Sequence, residues 1–283
     1  MITYKKCSQV DVNLIYNGFN VGFSDYMIKI QVPKDVFMTR FFETEGNSLE
    51  QSFIALHENR AIGIVFGGMK NYEGINTMRC GSLAVDNAYR GKGVSQELMK
   101  LHKEEAIKQG CKQQFLEVIM GNNRAIKFYN KLGYNKIYDL SYFSLNKVNT
   151  LQENSKLKLE VKFSSIEELR LIREKLKDVH INWQNDVEYI EKLQGQLTLG
   201  AYINDKIAGI ISMNKNTKIS FIWVENRLRH NGIGTTLLVN AVKKLNLFKA
   251  SISFPNSSFI HGFINHIGFE REPVSQYEMY LSL

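Results

Sequence analysis

Two short stretches of the chain combine glycine and positive charge in a way that suits an anion. The first is 90-RGKGVS-95 and the second is 229-RHNGIG-234. Each follows an apolar run, ending in 83-LAV-85 or 222-IWV-224, and each precedes residues with helical spacing. The first N–H groups of a helix lack internal partners, and the helix dipole leaves partial positive charge on them. Glycine lets a ligand approach the backbone closely. Arg90 and Lys92 add charge outside the first turn. The combination fits a pyrophosphate. An ordinary surface turn is the alternative for either stretch alone. Neither is a P-loop, because G-x-x-x-x-G-K-[ST] is missing, and GKGVSQ lacks the third glycine of a Rossmann fingerprint. Recurrence of R-x-x-G-x-[SG], each time five residues after the strand-ending valine, favours the cradle.

The elements around the two stretches repeat as well. Residues 2-ITYKKC-7 predict a strand, with Ser8 as a cap for a helix beginning around Asp11. In the second half 157-LKLEVKF-163 predicts a strand, and 165-SIEE-168 is a capping box before a helix. Two hairpins follow: 53-FIAL-56 with 61-AIGIVFGG-68, and 200-GAYI-203 with 207-IAGIIS-212. After each glycine stretch comes an amphipathic helix. Val94, Leu98 and Leu101 mark one face in the first copy, with Gly110 as the stop. Leu238, Ala241, Val242 and Leu245 mark it in the second. Further strands are 115-FLEVI-119 and 250-ASISF-254, and each copy closes on a short helix and Gly133-Tyr134 or Gly268-Phe269. The offset between copies drifts from 146 at Gly63 and Gly209, to 139 at the arginines, to 135 at Gly133 and Gly268. Loops absorb such changes and packed elements do not. The pattern predicts two related α/β domains, 1–148 and 157–283, joined across a polar stretch near 146–156.

Composition bounds the setting. The 283 residues suffice for two domains of ordinary size, and 44% are hydrophobic. The N-terminus MITYKKCSQV has no apolar signal region, and no run approaches membrane-spanning length. Cys7, Cys80 and Cys111 form no CxxC pair. A reduced, cytoplasmic protein is expected, with no membrane partner. The six histidines form no ligand set, so no metal is expected. The net charge of +8 divides as +5 and +3 between residues 1–148 and 149–283. It favours anionic ligands without choosing among them. No basic stripe with interleaved aromatics accompanies it, so nucleic acid is not expected.

R-x-x-G-x-[GA] after a strand and into a helix resembles the acetyl-CoA motif of the GNAT acetyltransferase superfamily. Arg90, Gly93 and Ser95 follow it, with Ser95 in place of the usual Gly or Ala; Arg229, Gly232 and Gly234 follow it throughout. The stretch 122-NNRAIKFYNKLGY-134 resembles the family's second motif through Asn122, Ala125, Tyr129, Gly133 and Tyr134. The resemblance implies a tandem two-domain GNAT protein. Each domain would be an α/β (α+β) unit with a twisted mixed sheet flanked by helices.

The same resemblance implies the chemistry. Acetyl-CoA would be the cofactor, its pantetheine arm lying between splayed strands near 80–85 and 115–119. Leu83, Ala84 and Val85 would bind the arm, and the amides of Gly91, Lys92, Gly93, Val94 and Ser95 the pyrophosphate, beside Arg90. Asn122 would touch the arm further along. Arg229, Gly232 and Gly234 would serve a second cofactor site. An amine attacks the thioester, an N–H near Val85 stabilises the oxyanion, and Tyr129 protonates the leaving thiolate. Glu117 is the candidate base; the alternative is a salt-bridged strand carboxylate. Asp25 and Tyr26 are candidates for the acceptor pocket, or for helix packing. The second copy places Phe263 or Ile264 where the tyrosine belongs, so the active site is expected in residues 1–148. The expected activity is N-acetyl transfer to a small-molecule amine by a monomer or homodimer. The competing reading is a non-catalytic coenzyme-A-binding or scaffold protein.

Overall fold

A computed structural model describes residues 1–256 and 260–283. In chain order the elements are β1 (Ile2–Lys6), α1 (Val12–Phe23), α2 (Lys34–Met38), β2 (Ser48–His57), β3 (Arg60–Tyr72) and β4 (Ile75–Val85). Then come α3 (Val94–Lys108), β5 (Gln113–Ile119), α4 (Asn123–Lys131), β6 (Asn135–Asn146), β7 (Glu160–Phe163), α5 (Ile166–Lys175) and α6 (Val187–Ile190). The chain ends with β8 (Gln196–Ile203), β9 (Lys206–Asn214), β10 (Lys218–Val224), α7 (Ile233–Leu245), β11 (Lys249–Pro255), α8 (His261–Ile267) and β12 (Glu270–Ser282).

Two compact units result, and they do not part at the polar stretch 146–156. The first comprises Met1–Ile137 with Tyr277–Leu283, and the second comprises Tyr138–Gln276. The first unit's sheet therefore runs β1-β2-β3-β4-β5-β12, its last strand supplied by the C-terminus. The second runs β6-β11-β10-β9-β8-β7. Each sheet is mixed: β4 pairs with β5, and β10 with β11, in parallel, whereas the hairpins are antiparallel. The sequence reading placed no strand at 135–146 or 270–282. Both follow the Gly-aromatic pair on which each copy of the repeat is expected to close.

In the first unit the sheet lies between two apolar layers. On one side Val94, Leu98 and Met99 of α3 and Tyr129 of α4 join Val65, Cys80 and Leu116. On the other, Ile15 and Phe19 of α1, with Phe37 and Phe41, join Ile54, Ile64 and Phe66. The α1 helix is capped by Asp11, whose side chain accepts from the Asn13 amide at 2.7 Å, and not by Ser8, which sits in a 3₁₀ turn. Asp11 immediately precedes the helix and carries an acceptor for its second amide, the usual arrangement for such a cap. Two glycines set α1 hard against the sheet. A Cβ at Gly22 would stand 2.5 Å from the Ala84 Cβ and 3.1 Å from the Val85 amide nitrogen. The Ser165 capping box is present in full.

Candidate active site

The strand that carries Leu83, Ala84 and Val85 parts from its neighbour at the predicted place. Parallel pairing of β4 and β5 runs from Thr77 opposite Gln113 to Cys80 opposite Leu116 and stops there. Gly81 is the cause: pairing with β3 passes from Cys80 to Ser82, so Gly81 is an extra, bulged residue. Bulges bend the strand that contains them. On its other side β4 stays bound to β3 up to Val85. The Asp86 amide donates to the Ile62 carbonyl at 2.8 Å. Alternation along an antiparallel ladder then turns the Val85 amide toward the gap, on the same edge as Leu83.

The glycine turn sits at the end of this strand. Asp86 caps a 3₁₀ turn through the Ala88 amide at 3.0 Å and pairs with Arg60. Gly91 and Gly93 take φ of 76° and 82°, which glycine adopts without strain. Gly93 is the N-cap of α3 and has no side chain to satisfy the first amides. A Cβ at either glycine would meet nothing within 4 Å, so the turn is open on its outer side. Lys92 lies over the Tyr89 ring at 5.1 Å. Val94 is buried and Ser95 half-buried at the head of the helix. An open turn with free amides beside a gap between strands suits a phosphate group carried on an extended arm.

Tyr129 lies on the α3 face of the sheet, in one apolar cluster with Cys80, Val85, Leu116 and Val118. Burial, followed by the neighbouring Cys80 thiol, raises its hydroxyl well above the usual tyrosine range. Asn122 caps α4 by accepting from the Ala125 amide at 3.2 Å, and its side chain also hydrogen-bonds Tyr26. Tyr26 is raised by burial and lowered by that bond. Tyr26 thus neighbours both Asn122 and Tyr129. Asp25 does not stand free beside them; it is joined to Arg90.

Glu117 is placed differently. Strand alternation sets it on the face opposite Leu116 and Val118. Its Oε2 accepts from Arg79 Nη2 at 2.9 Å, and both side chains are 4% exposed. Arg79 also approaches Glu45 at 3.7 Å, and burial raises Glu45. The sequence reading missed Arg79. A charged residue inside the apolar run 78-MRC-80 was the signal available for it.

The second unit repeats the frame. β10 and β11 pair only at Lys218–Ser251 and Ile219–Ile252, and Ser220 is skipped in the pairing with β9 as Gly81 is in the first unit. Gly232, with φ 77°, caps α7. Its surroundings are the reverse of those at Gly93. A Cβ there would lie 2.3 Å from the Asn154 carbonyl oxygen, and one at Gly234 would lie 2.9 Å from the Phe263 ring. The Lys156 amide donates to the Asn231 carbonyl at 2.9 Å. Arg229 Nε donates to the Val224 carbonyl at 3.3 Å.

Comparison with known proteins agrees with this geometry. Residues 22–134 match the Acetyltransferase (GNAT) family and residues 167–281 match the Acetyltransferase (GNAT) domain. N-alpha-acetyltransferase 30 of Schizosaccharomyces pombe is 31% identical over 116 residues, 40% of this chain and 75% of that one. The chain belongs to the GNAT acetyltransferase family. The N-alpha-acetyltransferase 30 of Dictyostelium discoideum is 29% identical over 37% of this GNAT chain, which spans 56% of that relative's length. A tandem GNAT protein from the clavulanic acid biosynthesis pathway shares the fold of the whole chain, with a TM-score of 0.68 at 14% identity and coverage of 100% and 98%. It carries two GNAT-family domains in tandem, on a fold shared over its whole length with that tandem GNAT protein.

Proposed function

We propose that the first unit transfers an acetyl group from acetyl-CoA to a primary amine. The observation that carries this reading is the gap past Cys80 and Leu116, which has the open glycine turn at its end and Tyr129 on one face. Coenzyme A supplies the acetyl group as an activated thioester. The amides of Gly91 to Ser95 would hold its pyrophosphate, and the free edge at Leu83 and Val85 would receive its arm. The Val85 amide, turned toward the gap, would donate to negative charge developing at the acyl oxygen; such a fixed donor acts most strongly where charge develops. Tyr129, kept protonated by burial, would give its proton to the departing thiolate, and the proton lost by the amine would pass through water and restore the tyrosine. Glu117 is assigned to holding the opposite face through Arg79 rather than to taking the amine's proton.

The acceptor reading shifts from a small-molecule amine to the α-amine of a polypeptide. Support comes from the named relatives, both N-alpha-acetyltransferases. Incubation with labelled acetyl-CoA and a panel of free and α-blocked peptides, amino sugars and polyamines tests this. Label should enter free peptides and not blocked ones. Tyr129→Phe should lower kcat by about 100-fold with acetyl-CoA binding retained, the usual size for loss of a general acid. Ser95→Glu, which leaves the backbone unstrained and sets a carboxylate in the cradle, should abolish acetyl-CoA binding. Full turnover in both variants would sink the proposal.

A further inference from the structure

Arg90 holds protein groups rather than facing the open side of the turn. Its Nη1 and Nη2 each bond an oxygen of Asp25 at 2.5 Å. Its Nε donates to the Val85 carbonyl at 3.0 Å, and Nη2 reaches the Gly22 carbonyl at 3.4 Å. These acceptors come from three places: the end of β4, the last turn of α1 and the loop that follows α1. The guanidinium fork matches the carboxylate edge to edge, which fixes direction as well as charge. The hydrogen bond from Arg90 lowers the Asp25 carboxyl below its ordinary range. Arg229 repeats the bond to the strand-end carbonyl. Among the described residues it has no counterpart of the Asp25 pair. The shared part of the motif arginine's work is thus to cap the strand, and the first unit adds a tie to its loop.

We propose that Asp25 and Arg90 form a clasp holding the loop of residues 24–33 on the end of β4, so that Arg90 is a positioning residue for acetyl transfer. This rests on the functional reading above. The residue beside Asp25 is Tyr26, which bonds the Asn122 cap of the helix carrying Tyr129. The next, Met27, brings its Cε to 3.9 Å from where a Gly121 Cβ would be. Fixing Asp25 therefore fixes the acceptor side of the gap relative to the Val85 amide. The clasp is partly solvated, with Asp25 42% exposed, so it sets position without dominating stability.

The test compares Asp25→Asn, Asp25→Glu and Arg90→Gln by three readouts: acetyl-CoA calorimetry, amide exchange over residues 24–33, and kinetics with an accepting peptide. Asp25→Asn and Arg90→Gln should leave the acetyl-CoA Kd within about twofold and speed exchange in the loop about tenfold. They should cut kcat/KM for the peptide by about tenfold, and Asp25→Glu should restore most of it. Weaker acetyl-CoA binding in Arg90→Gln with Asp25→Asn silent would make Arg90 a phosphate ligand and overturn the clasp. Unchanged exchange in both variants would overturn it too. Wild type that binds no acetyl-CoA would defeat the functional reading, and loop exchange would then judge the clasp alone.

Discussion

Arg79 shows how much one buried side chain holds in place. With 4% exposure it faces Glu117 at 2.9 Å and Glu45 at 3.7 Å from the middle of β4. Removing one partner of a buried pair leaves an uncompensated charge, at a cost of about 3–5 kcal/mol. Arg79→Met should therefore lower Tm by roughly 10 °C. Glu117→Gln should lower it less and keep kcat within about fivefold, since a neutral amide still accepts from Arg79. A rate loss of about 100-fold at unchanged Tm would instead make Glu117 the base. Gly93 and Asn122, read by motif, were legible because a positive φ and a helix cap demand those residue types. Pairings across the fold were not. Arg90 with Asp25 spans 65 positions and Arg79 with Glu117 spans 38, and nothing in local spacing specifies either partner.

At the scale of elements, period and punctuation revealed most of the repeat. The hairpins, the glycine-headed helices and the Ser165 box follow from alternation, helical spacing and caps, and Gly110 ends α3 with φ 72° as expected. The exchange of final strands was hidden, because β6 and β12 resemble each other in pattern and pairing choice is set by the rest of the sheet. One element carries a titration that the sequence also concealed. His102 of α3 is fully buried, close enough that a Cβ at Gly67 would meet its ring at 3.0 Å. Burial lowers it from its ordinary 6.5 to about 4. Between those values the unfolded chain binds a proton that the folded chain refuses, so stability falls as pH drops through that window. The loss reaches roughly 3 kcal/mol near pH 4. Denaturant titrations from pH 7 to 4 should show it, and His102→Gln should flatten that part of the curve. An unchanged slope in the variant would assign the acid sensitivity to other groups.

At the scale of the whole molecule the question is why one chain keeps two glycine turns. The first is open at both glycines, whereas the second is covered by Asn154 from the segment joining the copies. Lys243 anchors that segment through Glu153 at 3.0 Å, and the Lys156 amide fastens it beyond Asn154. Phe263 packs on Gly234, and Ile264, which accepts from the Phe269 amide as Tyr129 does from the Tyr134 amide, offers no hydroxyl for the acid role. Asn185 donates to the Ser253 carbonyl at 2.6 Å, on the strand past the second gap. The second unit therefore keeps its glycines for its own chain: Gly232 for a close approach and a positive φ, Gly234 for an aromatic ring. Calorimetry with acetyl-CoA should accordingly give one site per chain. Ser95→Glu should remove it, and Gly232→Glu should leave the stoichiometry alone while lowering Tm, because the new side chain must displace Asn154. Two sites in the wild type, or one site that survives Ser95→Glu, would mean that the joining segment yields to the coenzyme. In that case the second cradle binds, and its missing hydroxyl becomes the fact to explain.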